Sequence, residues 1–305
     1  MKFSVKHAFV LLVCALLLGT SADARRMSDA EVFVSQQLTA FGLAGTPWES
    51  VASIDEERSR AWMDALHEAY DAILNLPLME GKLVRQVLSI NPGLKSRLGV
   101  VLLSAQRSFY QKDASGLVRC RVDVPLSGPN SVRSALYLAA LRPQSAEPIN
   151  FLASWSAGIK LESDSEPPPF KRLVVDVRNY HFKPSLFPRF FDQSGMLIFQ
   201  ESTVPAPYRF SRPAVRFSTN IRDAHADLEE SEIMIAAARV DPLASSDIRI
   251  AQADLQWFSR FCSELVNNPL QQRDILIIFD ESKLAPSGSM PPAKAEEKPE
   301  APKKR

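Results

Sequence analysis

Five apolar residues in a row, Ile275–Phe279, can only be a buried strand. They follow an amphipathic stretch, Ala253–Val266, and a short strand-forming segment, Asp247–Ile250. A helix that carries Leu255, Phe258, Cys262 and Leu265 on one side needs a sheet to lie on. Together with the hairpins and helices read elsewhere in the chain, this predicts an α+β class, with helices packed on antiparallel sheets.

The rest of the second half reads as strands. Leu173–Val177 is a near-continuous apolar run, and Phe187–Phe199 predicts a hairpin around Asp192-Gln193-Ser194-Gly195. Tyr208–Arg212 adds an edge piece that Pro213 ends, Asn220–Glu230 reads as a polar helix, and Glu232–Val240 as a strand. The first half is richer in helices. Ser28 with Glu31 and Ser53 with Glu56 carry the capping-box spacing. After the second box, Trp62, Leu66, Tyr70 and Ile73 recur at helical spacing until Pro77. Helices over Lys82–Leu88 and Leu94–Ala105 precede a strand pair, Arg107–Gln111 and Leu117–Leu126, and a last helix runs to Leu141.

Residues 142–169, ending Glu166-Pro167-Pro168-Pro169, read as a connection between two small α+β domains, 25–141 and 170–282. From Ala285 the chain is Pro, Ala, Lys and Glu without apolar periodicity, so 283–305 is expected to be a disordered tail.

The N-terminus sets the compartment. Lys2 and Lys6 precede an apolar run, Ala8–Leu18, and Ala22-Asp23-Ala24 has the small-x-small pattern of signal-peptidase cleavage. Residues 1–24 thus read as a signal peptide, cut between Ala24 and Arg25. An eleven-residue helix would span about 16 Å, against about 30 Å of hydrocarbon, and no later segment is longer and apolar, so the mature chain is expected to lack a transmembrane span. Val13 stands before Cys14 where lipoprotein signals place a small residue, so acylation is not expected. The chain has 36 basic and 35 acidic residues, and residues 1–24 hold two lysines and one aspartate, which leaves 34 of each sign. A neutral chain argues against nucleic acid as a partner.

Two cysteines remain after cleavage. Cys120 alternates with Val118, Val122 and Val124 on one strand face, and Cys262 sits on the apolar side of its helix, so both read as core thiols; a disulfide between them is the alternative. The histidines, His7, His67, His181 and His225, lack partners at metal-ligand spacing, and no G-x-S-x-G, P-loop or G-x-G-x-x-G motif is present. The chain is therefore read as a non-enzyme, with no catalytic or metal residues and no cofactor. Asp227, Glu229, Glu230 and Glu232 read as a solvated face. Phe187 and Phe190, with Trp257, are the residues that would line a slot for an apolar or aromatic ligand; core packing is the competing expectation for such a Phe-rich hairpin.

The stretch LVVDVRNYHFKPSLFPRFFDQSGMLIF, from Leu173, resembles the signature of the FlgP family, also called the lipoprotein-20 family: an apolar strand with Asp and Arg, a Lys-Pro segment, then Pro-Arg and an Asp turn. Asp247–Phe279 is similar to that family's closing strand, helix and strand, and LVRQVLSINPGLKSRL and VRCRVDVPLSG resemble its upstream elements. Asn179 stands where the family often has Gly. The resemblance transfers no catalytic residue. It implies a periplasmic or outer-membrane-associated protein with a structural or assembly role, tied to the flagellum and motility, with envelope or flagellar proteins as partners. Sheet edges add an expectation of homo-oligomerisation.

Overall fold

The computed structural model describes residues 27–284 apart from 46–52, 111–116, 142–168, 205–207, 209–212, 237 and 242–244. The signal peptide with its cleavage residues Ala22, Ala24 and Arg25, the tail from 285, most of the 142–169 connection and the edge piece after Tyr208 lie outside the described residues.

Helix α1 (Asp29–Ser35) starts in a closed capping box: Glu31 N donates to Ser28 Oγ (3.2 Å) and Ser28 N to Glu31 Oε2 (2.7 Å). Gln36, at φ 56°, turns the chain directly into strand β1 (Gln37–Ala44). Sequence reasoning missed this strand because its inward residues, Leu38, Ala40 and Gly42, are mostly small and give a weak alternation. Helix α2 (Ile54–Leu74) lays a smooth stripe of Ala61, Ala65 and Ala69 on it. A Cβ on Gly42 would lie 2.0 Å from Ala61 O and 2.2 Å from Ala65 N, so strand and helix meet backbone to backbone. The chain continues through β2 (Pro77–Met79), β3 (Lys82–Leu83), α3 (Val84–Ile90), α4 (Pro92–Leu103), β4 (Gln106–Tyr110), β5 (Val118–Pro125) and α5 (Val132–Leu141). Strands β1, β5 and β4 form an antiparallel sheet in that order, and α2 covers the face that carries Val118, Cys120, Val122 and Val124.

The second half comprises β6 (Arg172–Asp176), β7 (Arg189–Phe191), β8 (Leu197–Gln200), β9 (Val215–Ser218), β10 (Ile233–Ala236), β11 (Ala238–Val240), β12 (Asp247–Ile250), α6 (Leu255–Asn267) and β13 (Asp274–Ile278). The fold is α+β, but its sheets are mixed. The sheet β10-β6-β13-β9 is parallel throughout, not antiparallel as expected; in the sheet β11-β12-β7-β8 only β12 and β7 run parallel. The physical reason lies in the coverage of both faces, which parallel sheets require. One face of the parallel sheet joins the main core. On the other, Ala224 and Ile221, in a 3-10 turn over Ile221–His225, close over Val174, Leu276 and Ile278. That turn and a second one, Glu230–Glu232, replace the expected polar helix, and the expected strand over 232–240 divides between two sheets.

Leu186 N donates to Pro77 O and Phe187 N to Leu78 O, both at 2.9 Å, and Phe33 meets Phe217 edge-to-face at 5.5 Å. The boundary expected near residue 142 is consequently not a boundary of the core, which runs as one cluster from Ala30 to Phe279.

Candidate functional site

Three buried carboxylates, Asp274, Glu201 and Asp247, are engaged by arginines. Asp274, at the start of β13, accepts from Arg172 Nε (2.9 Å) and, through its other oxygen, from Arg216. Arg172 Nη1 also donates to the carbonyls of Asp223 (3.1 Å), Ala224 (2.9 Å) and Ala226 (3.2 Å) and so ties the covering turn to the sheet. Glu201 accepts from Arg133 (3.2 Å) and from Ala214 N (3.1 Å); burial pushes its carboxyl up, opposed by those two partners. Arg189 bridges Asp247 and Glu80, and burial raises Asp247 against the pull of Arg189. In each case the guanidinium fixes one chain segment to another. These ion pairs act as struts.

Open α/β sheets place ligands beyond the carboxyl ends of parallel strands. Here that edge carries Asp176, Arg178, Asp280 and Lys283. Arg178 chelates Asp176 (2.6 and 2.9 Å) and holds its carboxyl below the usual range, while Lys283 Nζ donates to Arg178 O (2.9 Å). Hydrogen bonds from Ser282 hold the Asp280 carboxyl down, helped by Lys283 and Arg178. His181 Nδ1 lies 3.2 Å from Lys283 O. Carboxylates and cations satisfy one another, so the cluster closes the sheet end. Asn179, beside it, is not in the left-handed region, so this position does not require a glycine.

The surface best suited to recognition is the outer face of the antiparallel sheet, opposite α2. Register sets Thr39, Asp123 and Gln106 in one row, Phe41, Arg121 and Ser108 in the next, and Leu43, Arg119 and Tyr110 in the third. All are half-buried or exposed. Thr39 donates to Asp123 (2.6 Å), Arg121 Nε donates to the same oxygen (2.9 Å), and Arg121 also bonds Tyr110, which locks a polar diagonal across three strands. Phe41, Leu43 and Tyr110 flank it. A pre-organised mixture of Tyr, Arg and apolar side chains is the composition that protein interfaces favour. Sequence reasoning missed this face because it needs β1 to exist and to pair with β5.

The residues singled out from sequence fall elsewhere. Cys120 and Cys262 are both buried and unbonded, and burial raises both thiols. Phe187, Phe190 and Trp257 do not share a slot. Phe190 is fully buried against Phe199 (6.0 Å) and Phe258 (5.2 Å), Phe187 is buried, and Trp257 is 44% exposed beside Phe170 and Arg260. Helical phase is the cause: Phe258 takes the inward position of α6, which turns its neighbour Trp257 outward. Cavities of about 390 and 380 Å³ are lined by other residues, around Tyr208 and Arg273 and around Met27 and Arg85. Asp227, Glu229 and Glu230 are exposed on a turn, and Glu232 pairs with Lys171. Among the described residues no group of three or more His, Cys, Asp or Glu side chains is placed to hold a metal ion, and no helix is long and apolar enough to cross a membrane.

Residues 172–281 match the family described as the second domain of Treponema pallidum Tp0624. The matched segment spans β6 to the turn after β13, and so contains the whole parallel sheet. No curated protein matches the chain.

Proposed function

We propose that this chain is an exported protein of the bacterial envelope, periplasmic or associated with the outer membrane, and a non-enzymatic structural or assembly component of a flagellum-related apparatus. The observation that carries the reading is the outer face of the β1-β5-β4 sheet, a pre-organised Tyr, Arg and apolar surface that suits contact with another protein. The basic and apolar N-terminus with its Ala22-Asp23-Ala24 site supports export. The resemblance of the stretch from Leu173 to the FlgP family supports the flagellar setting. The arginine-engaged carboxylates are consistent with a scaffold.

The test is a pull-down of tagged protein from cross-linked envelopes, read by mass spectrometry, beside the motility of a deletion strain and of a strain carrying Leu43→Glu. Enrichment of basal-body proteins from the wild type, reduced for Leu43→Glu, together with lost swimming, is the expected result. Normal swimming of the deletion strain, with no flagellar protein enriched, removes the flagellar assignment.

A further inference from the structure

The two edges of the antiparallel sheet differ. On β1, the outward N–H of Thr39 is taken by Met27 Sδ (3.3 Å) and that of Leu43 by Asp64 Oδ2 (2.9 Å), so side chains block this edge. The same two bonds fix the parity of the ladder. With Thr39 and Leu43 facing outward, β1 bonds β5 through Leu38, Ala40, Gly42 and Ala44. Strand β5 then turns Arg119, Arg121 and Asp123 toward β4, and β4 is left with the N–H and C=O of Arg107 and Phe109 facing away from the sheet. All five β4 residues are exposed, and none is a proline. Among the described residues no strand pairs with this edge of β4, and an edge of that kind is a template for a further strand.

We propose that β4 pairs antiparallel with β4 of a second copy of this chain, about a two-fold axis through Ser108. The side chains favour this register over one centred on Arg107, and the cross-linking test below separates it from one centred on Phe109. The outward-facing residues are Arg107 and Phe109, and a two-fold axis at Ser108 sets each Arg107 opposite the partner's Phe109. Each of these two pairs exchanges both ladder hydrogen bonds. Arg107 meets an aromatic ring instead of another arginine, a favourable cation–aromatic contact made twice by symmetry. Centring the axis on Arg107 would set Arg107 against the partner's Arg107, a like-charge pair that opposes association. The α2 side is compatible with this register: Arg58, 5.9 Å from the Phe109 ring, is paired with Asp55 at 3.7 Å, and Arg107 lies over the Trp62 ring at 4.3 Å. On the outer face Gln106 meets the partner's Tyr110. The product is a continuous six-stranded sheet whose two recognition faces lie on the same side.

The test uses the mature full-length chain. Light scattering after size exclusion is expected to show a dimer at about 100 μM, a concentration that populates a micromolar interface. Phe109→Lys sets a lysine opposite Arg107 twice and is expected to weaken the dimer at least tenfold. Ser108→Cys is expected to give a disulfide-linked dimer under mild oxidation, because a non-hydrogen-bonded antiparallel pair sits at about 4.5 Å between Cα atoms, within disulfide range. Gln106→Cys, whose partner is Tyr110, is expected not to cross-link. A monomer at every concentration overturns the proposal. So does a dimer that Phe109→Lys leaves intact, or one in which Ser108→Cys fails to cross-link. Should Phe109→Lys fail to fold, the cysteine at position 108, whose side chain lies on the exposed outer face of the sheet, still decides. A monomeric result leaves the assembly role of the outer face standing, since that reading does not depend on self-association.

Discussion

Gly42→Ala isolates what holds the helix-on-sheet layer together. The added methyl would stand 2.0 Å from Ala61 O, 2.2 Å from Ala65 N and 2.9 Å from Ala65 Cα, whereas carbon atoms in ordinary contact lie about 3.5–4.0 Å apart. All three obstacles are helix backbone, so no side-chain rotation relieves them, and α2 must lift from β1 by more than about an ångström. Withdrawal on that scale forfeits a quarter to a half of each dispersion contact along the stripe of Ala61, Ala65, Leu66 and Ala69. Overpacking of a core costs about 1–3 kcal/mol, and an unyielding backbone contact belongs at the upper end. Against this, alanine loses less chain entropy on folding, worth about 0.4–1 kcal/mol, since Gly42 does not occupy the left-handed region and its conformation suits either residue. The net expectation is a loss of about 2–3 kcal/mol, or roughly 5–10 °C in Tm for a chain of this size. Urea titration should show a lower midpoint at unchanged slope. Gly99→Ala is the control: it lies within α4, a Cβ there meets nothing within 4 Å, and helix propensity favours alanine by about 0.8–1 kcal/mol. The sign of the effect decides the matter. If Gly42→Ala matches or exceeds the wild type in stability, the close approach of α2 to β1 is refuted.

Asp274→Asn removes the charge that faces Arg172 and Arg216 in a buried site and should cost about 3–5 kcal/mol by urea unfolding; an exposed pair would give less than about 1 kcal/mol. The Glu201 carboxyl is raised by burial above its ordinary value of 4.5, so the native state holds its proton more tightly than the unfolded chain. Its contribution to stability therefore falls as pH rises from about 4.5 through the folded value, and Glu201→Gln should flatten that part of a urea-derived stability–pH curve. Cys120 and Cys262 are buried with raised thiols, so neither should react with an aromatic disulfide reagent in the native mature chain. Both should react in denaturant without reductant, whereas absence of titratable thiol there would show that they are bonded.

What could be read from sequence shares one property, that its signal is local. The helix from Ser53 shows itself by its cap and its spacing, β5 by strict alternation, and the hairpin over Phe187–Phe199 by the Asp192 to Gly195 turn. The closing strand shows itself as an unbroken apolar run, because such a run is buried whichever strands flank it. The candidate site was not local. Strand β1 is too rich in small residues to announce itself, and without it neither the outer face of its sheet nor the open β4 edge can be inferred.

The sequence by itself thus determined the α+β class and the type and core side of the elements with strong local periodicity, the helix from Ser53, β5, α6 and β13 among them, since these follow from hydrogen bonding and side-chain direction over a few residues. Only the tertiary structure decided which strands are neighbours and in which direction they run. Arg172 and Asp274 start adjacent parallel strands although 102 residues separate them, and Gln37 meets Pro125 across the length of the first half. Pairings of that range are selected by the simultaneous packing of every face, and no window of sequence contains that condition. The same packing turned Phe190 into the core and Trp257 to the surface, and joined two segments that read as separate domains into one hydrophobic core.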